Sequence, residues 1–280
     1  MKKTILLTVV ALLTLLLGAC GKSDTNGAAT ASPASPEHPV DISVGYVDLP
    51  PYGDIVKLVQ ENLKTQGINL QLKAFTDVTI PNQALNNKEI DVNYYQSLAY
   101  LEQFNKSNNM DLVPLSTSFT SIFGAYSKKY KTIDELPEGA VITIPADPGN
   151  SGRSLALLES YGLIKLKDGT GIHGSKQDIV ENKKNYKIVE VDQMLLSQAY
   201  NDSDLTAMQG TYALKANLIP AKDAIIKEKY EGDDFLVVLA ARVDNQNDVN
   251  IQTVAKAFAS DEVKKLLGEK YSDSFKWKLK

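Results

Sequence analysis

The sequence predicts an α/β fold with largely parallel sheets, and three observations carry that prediction. Short apolar runs of strand length alternate with helical spacings along the chain. Glycines at Gly67 and Gly162 close helical runs as C-terminal caps do. The stretch Val40 to Lys280 is long enough for one large domain or two small ones, at ~100–200 residues per domain.

The chain opens with Lys2 and Lys3, an apolar run Thr4 to Leu17, and then Leu17-Gly18-Ala19-Cys20. A charged start, an apolar run too short to span a bilayer and small residues at its end predict a secretory signal over 1–19. Leu-Gly-Ala-Cys is similar to the bacterial lipobox, in which the Cys thiol receives a diacylglycerol. Cys20 is the only cysteine, so no internal disulfide can form, and lipidation would remove a free thiol from an oxidising compartment. Residues 20–39 are then the lipidated Cys and a flexible linker, because "DTNGAATASPASPEHP" is small, polar and proline-bearing. The implied location is the cell membrane, lipid-anchored on its extracytoplasmic face. Loss of Lys2 and Lys3 takes the net charge from −4 to −6, a mildly acidic body that argues against nucleic acid as partner.

Within the body, Val40 to Val47 alternates and reads as a strand. Ile55, Val56, Leu58, Val59 and Leu63 share a face of a helix over Tyr52 to Gln66. Asn69 to Phe75 alternates again. A short helix over Asn82 to Asn87, a strand at Ile90 to Tyr94 and a helix at Leu98 to Phe104 follow. Ile122 to Tyr126 and Val141 to Ile144 are compact apolar strands, and Thr132 with Glu135 between them has the spacing of a capping box. Ser154 to Leu163 reads as a helix. Ile188 to Val191, Leu205 to Met208 and Leu236 to Ala241 read as strands, and Leu195 to Tyr200, Thr211 to Leu218 and Val254 to Leu267 as helices. The expected division is 40–121 plus 244–280 as one lobe and 122–243 as the other, with the chain crossing twice.

"PADPGNSGRS", Pro145 to Ser154, follows a strand and precedes a helix, a grammar that often holds an anion. It is not a phosphate loop, since Asp147 stands where the first glycine would be and Arg153 replaces the lysine. Asn150 or Ser151 can cap a helix starting near Gly152, and Arg153 adds a planar fork that matches a carboxylate. The competing reading is an ordinary loop with Arg153 in an ion pair. In "DVNYYQSLAYL", Tyr94, Tyr95 and Tyr100 could wall a pocket or simply pack a sheet. Catalysis finds little support. His38 lies in the linker and His173 in a glycine-rich loop, and no zinc, paired-cysteine or nucleophile-elbow motif is present. No metal or cofactor is expected.

"PNQALNNKEIDVNYYQSLAYLEQFNK", "PADPGNSGRSLALLESYGLIKLKDGTG", "YALKANLIPAKDA" and "SDEVKKLLGEKY" resemble the NlpA/MetQ lipoproteins, the substrate-binding components of methionine-type ABC importers. The similarity runs over nearly all of Val40 to Lys280. It implies a two-lobed periplasmic-binding-protein fold of the second type, with an amino acid or short peptide in the cleft. It also implies, as partners, an ABC permease with its ATPase subunit, and a monomer held to the membrane by lipid on Cys20. The family arginine that grips a carboxylate matches Arg153, beside Asn150. Its aromatic pair matches Tyr94 and Tyr95, and a further tyrosine matches Tyr100. Elsewhere the chain departs: Ser97 replaces a histidine, Val78 a tyrosine, Thr211 an asparagine and Val237 an asparagine. These losses leave methionine itself open while Arg153 keeps a free carboxylate favoured. An envelope enzyme, or a surface lipoprotein for adhesion or signalling, is the alternative on the same scaffold.

Overall fold

The computed structural model describes residues 32–279. The predicted signal segment and Cys20 lie outside them. Among the described residues, no helix is long and apolar enough to cross a membrane.

The first part of the chain runs β1 (Val40–Val47), α1 (Tyr52–Lys64), β2 (Ile68–Phe75), α2 (Ile80–Asn86), β3 (Val92–Ser97), α3 (Leu98–Asn108) and β4 (Val113–Ser121). There follow β5 (Phe123–Tyr126), β6 (Val141–Pro145), α4 (Pro148–Ser160), β7 (Lys165–Leu166), β8 (Ile179–Glu181), β9 (Lys187–Val191), α5 (Leu196–Ala199), β10 (Leu205–Gln209), α6 (Gly210–Lys215), α7 (Pro220–Asp223) and β11 (Ile226–Lys227). The chain ends with β12 (Leu236–Ala241), α8 (Val249–Phe258), α9 (Asp261–Lys270) and β13 (Phe275–Trp277).

Two sheets organise these elements: one six-stranded, in the order β13-β4-β12-β3-β1-β2, and one five-stranded, β11-β5-β10-β6-β9. Each has helices on both faces, as a sheet apolar on both sides requires. In β12, Val237, Leu239 and Ala241 pack with α1 and α8, while Val238 and Ala240 pack with Leu85 and Leu101 from α2 and α3. In the second sheet, Leu155 and Leu158 of α4 cover one side, and Leu196, Tyr212 and Ala213 cover the other.

Several expectations are corrected. The sheets are mixed: β12 and β13 run antiparallel to their neighbours in the first, β5 and β11 in the second. Leu236–Ala241 does not accompany 122–243. It hydrogen-bonds β3 and β4 in the six-stranded sheet, so the return crossing is 228–235 and not a point near Asp244. β4 was not expected, because "VPLSTSFTS" is rich in Ser and Thr and lacks an apolar run, yet it pairs on both sides, between β13 and β12. The helix expected over Val254 to Leu267 is two, broken where the Ser260 hydroxyl caps α9. Thr132 makes no cap. Glu135 accepts from the Lys131 amide at 2.7 Å instead. Nor is the described end of the linker free, since Asn250 accepts from the Ala34 amide at 2.7 Å and donates to the Ser32 carbonyl at 3.1 Å.

Two crossings join the sheets. The first is Ile122, between β4 and β5. The second is 228–235, between β11 and β12. They lie side by side, with the Glu228 amide donating to the Phe123 carbonyl at 2.9 Å.

Candidate functional site

The ends of β1 and β3 and the starts of α4 and α6 converge on one cavity, where ligands of open α/β sheets bind. It holds about 590 Å³ of empty space, part of it open to solvent. Val47, Leu49, Val78, Val237 and Phe235 make apolar wall, and Tyr52, Tyr95, Tyr100 and Tyr212 add rings with hydroxyls. The polar positions are Gln96, Ser97, Ser121, Asn150, Arg153, Gln193, Gln209 and Thr211.

Of the residues singled out in the sequence, Val78, Tyr95, Ser97, Tyr100, Asn150, Arg153, Thr211 and Val237 meet at this cavity. Tyr94 does not. Neighbouring side chains of a strand point to opposite faces, so with Tyr95 turned to the cavity, Tyr94 lies in the core. It is 1% exposed, 4.3 Å between ring centroids from Phe258, and its hydroxyl shares a 2.5 Å hydrogen bond with Ser118.

The hydroxyls that do reach the cavity are already engaged. Tyr95 and Tyr100 both donate to the Val78 carbonyl, at 2.8 and 3.0 Å. That fixes the segment before α2, and it explains how an apolar Val78 still contributes through its backbone. Ser97 caps α3, its hydroxyl accepting from the Tyr100 amide at 3.3 Å. Thr211 and Tyr52 line the cavity together. Burial raises the pKa of Tyr52, Tyr95 and Tyr100 above the ordinary phenol value, so the wall presents neutral hydroxyls.

Helix α4 begins earlier than the glycine-serine grammar suggested. Pro148 takes its first position and Asp147 is the cap, accepting from the Asn150 amide at 3.0 Å. The anion at this helix start is therefore the protein's own. Asn150 is not the cap but the capped residue. Gly152 serves packing: a Cβ there would lie 2.2 Å from the Ile172 carbonyl oxygen and 2.9 Å from that of Gly174.

Arg153, 3% exposed, is likewise occupied. Nε donates to Glu228 Oε1 at 2.8 Å and Nη2 to Oε2 at 2.5 Å, a bidentate pair, with Nη2 also 3.4 Å from the Ser121 carbonyl. The guanidinium carbon sits 3.8 Å from the Phe235 ring centre and 4.5 Å from that of Phe123. Nη1 is the remaining nitrogen of the fork.

Sequence reasoning missed Glu228, Gln96, Gln193, Gln209 and Phe235. Glu228 sits in a charged run, "KEKYEGDD", that looks like solvated surface, and nothing local marks it as the partner of a residue 75 positions away. Gln96 is held by a buried amide network in which it and Asn82 exchange bonds of 2.7 Å each way and Asn93 accepts at 2.9 Å. His173 is exposed and does not line the cavity.

The family model for NlpA lipoprotein matches residues 42–277. The chain is 36% identical over 258 residues to outer membrane lipoprotein 2 of Mannheimia haemolytica, covering 92% of each chain. It is 40% identical over 199 residues to the D-methionine-binding lipoprotein MetQ of Escherichia coli K12, covering 70% of this chain and 73% of that one. Among solved structures, a nutrient binding protein from Burkholderia cenocepacia bound to methionine superposes with a TM-score of 0.80 at 33% identity. That match covers 84% of this chain and 99% of the other.

Proposed function

The chain belongs to the NlpA lipoprotein family, and from that premise we propose that it is a lipid-anchored solute-binding protein of an ABC importer. Its solute is an amino acid, methionine or a relative, or a short peptide. The observation that carries this reading is the cavity where the two sheets' strand ends meet, with one arginine and four tyrosines in its wall. A methionine-bound relative of the same fold supports the solute class, and the name of the E. coli relative points the same way.

The work of the site is capture, not reaction. A solute entering between the lobes exchanges water for aromatic and aliphatic wall, which favours an apolar side chain. Its carboxylate has one buried cation to meet, Arg153, through the nitrogen that Glu228 does not take. Gln193, Gln209 and Thr211 offer neutral donors and acceptors for an amino or peptide group. Closure of the lobes then buries the solute for delivery to the permease and its ATPase. Lipid on Cys20 keeps the loaded protein at the extracytoplasmic membrane face.

Thermal-shift screening of the protein against free amino acids and methionine-containing dipeptides tests the reading. A binder at a hundred times its Kd adds about 2.7 kcal/mol of stability. One compound or a narrow group should raise the melting temperature and be recovered unchanged. A flat panel, or chemical conversion of a hit, refutes it.

A further inference from the structure

Every partner of the cavity arginine comes from a crossing between the sheets or a residue flanking one. Ser121 and Phe123 flank Ile122, the first crossing, and Glu228 and Phe235 bound the second. Arg153 itself stands on α4, which packs on the five-stranded sheet. From the geometry we infer that Glu228 is the positioning residue of Arg153, and that the pair is a clasp tying both crossings together under the cavity.

The chemistry suits that role. Two parallel hydrogen bonds fix the plane of the guanidinium, and its contacts with the Phe123 and Phe235 rings limit its height. A lysine could do neither. The plane in turn sets where Nη1 points, so Glu228 orients the one nitrogen of the fork that it does not take, while Glu228 itself does not line the cavity. Glu228 is already joined to the first crossing through its amide on the Phe123 carbonyl at 2.9 Å. Ile122 is joined to the end of the chain by its own amide on the Ser274 carbonyl, at 2.9 Å. A change of lobe angle must turn the backbone at these positions, and the clasp resists that turn on both strands at once. A solute drawing on Arg153 therefore acts on the segments about which the lobes move. This coupling rests on the solute-binding reading; the clasp does not.

Hydrogen exchange of the full chain in detergent, read by mass spectrometry without ligand, tests the clasp directly. Glu228→Gln should speed exchange about tenfold or more in peptides of both crossings, around 121–124 and 228–235, and leave β1 unchanged. Because that variant orphans a buried arginine, the double replacement Arg153→Met with Glu228→Leu accompanies it. The pair of apolar side chains should return the melting temperature close to the native value, yet exchange at both crossings should stay fast. Native exchange in the double variant, or acceleration confined to 228–235, overturns the clasp. Free L-methionine is the probe for coupling: where it raises the melting temperature, it should slow exchange at both crossings in the native chain and fail to do so in Glu228→Gln at saturation. Binding without that protection overturns the coupling and leaves solute binding standing. A flat thermal panel refutes solute binding, and the ligand-free arm still decides the clasp.

Discussion

Asp147 and Asn150 close the first turn of α4 upon itself: Oδ1 of Asp147 accepts from both the backbone amide and the side-chain amide of Asn150, at 3.0 and 2.9 Å. The same carboxylate's Oδ2 is buried with no hydrogen-bond partner. A charge held this way gains from the helix start and loses from desolvation. Desolvation wins, aided by the neighbouring charge of Asp192, and raises the Asp147 pKa above its ordinary value of 3.8.

That balance predicts a pH dependence. A carboxyl with a raised folded pKa holds its proton more tightly in the folded state, so its contribution is greatest below the ordinary value. It is lost as pH rises through the raised one. Asp147→Asn keeps an acceptor for the helix amides but cannot titrate. Urea unfolding from about pH 3.5 to 7 should show the native chain losing stability relative to Asp147→Asn as pH increases. No change with pH, or a native chain that gains stability relative to Asp147→Asn as pH increases, would show that the burial of Oδ2 does not govern this group.

The two glycines of the same turn should answer differently to alanine. At Gly149 an added Cβ meets nothing nearer than 3.6 Å, and alanine is the better helix former by up to about 1 kcal/mol. At Gly152 the same atom strikes two backbone carbonyls of the 171–174 loop, and backbone cannot rotate away. Gly149→Ala should be neutral or stabilising in chemical denaturation, and Gly152→Ala destabilising by about 1–3 kcal/mol. Equal effects would refute the close approach of the loop to α4.

Opposite facing of Tyr94 and Tyr95 separates stability from binding. Tyr94→Phe leaves the Ser118 hydroxyl, 1% exposed, without its partner and should cost about 1–3 kcal/mol with the ligand-induced melting shift unchanged. Tyr95→Phe alone leaves Tyr100 still donating to the Val78 carbonyl. The double Tyr95→Phe, Tyr100→Phe change frees that carbonyl and should weaken the ligand response by more than the sum of the singles. Additive singles would refute the shared acceptor.

What could be read from the chain and what could not divides along the same line. The α/β alternation was legible because apolar periodicity is local, and α1 carries it at Ile55, Val56, Val59 and Leu63. Of the cleft residues, Arg153 and Asn150 were legible in the strand-to-helix turn and Tyr95 and Tyr100 in their aromatic cluster, whereas Val78, Ser97 and Thr211 came only through the family resemblance. Strand alternation could have excluded Tyr94 once Tyr95 was chosen. β4 was illegible because its Ser and Thr side chains are accommodated by sheet neighbours far along the chain. Glu228 was illegible for a related reason. Its meaning lies in a partner on α4, 75 positions away, and a lone Glu in a charged run carries no sign of burial. The glycine-serine turn was read as waiting for an outside anion, whereas Asp147 and Glu228 supply two from within.

Arg153 gathers these strands into the sharpest prediction. Its side chain is 3% exposed and that of Glu228 12%, so their pairing is screened little by solvent. Arg153→Ala removes the cation and leaves the largely buried Glu228 carboxylate without its partner, which should destabilise the protein by about 3–5 kcal/mol. It should also abolish the melting shift given by any ligand with a free carboxylate. Arg153→Lys keeps the charge but not the fork, so part of the stability should return while the ligand response stays weak, because a point charge paired to Glu228 has no second planar donor to offer. Thermal melts of the three proteins with and without the best compound of the panel decide the matter. Full ligand response in Arg153→Ala would remove Arg153 from the binding role. A lysine variant that matches the native chain in both readouts would show that charge alone, and not the aimed fork, is what the cavity uses.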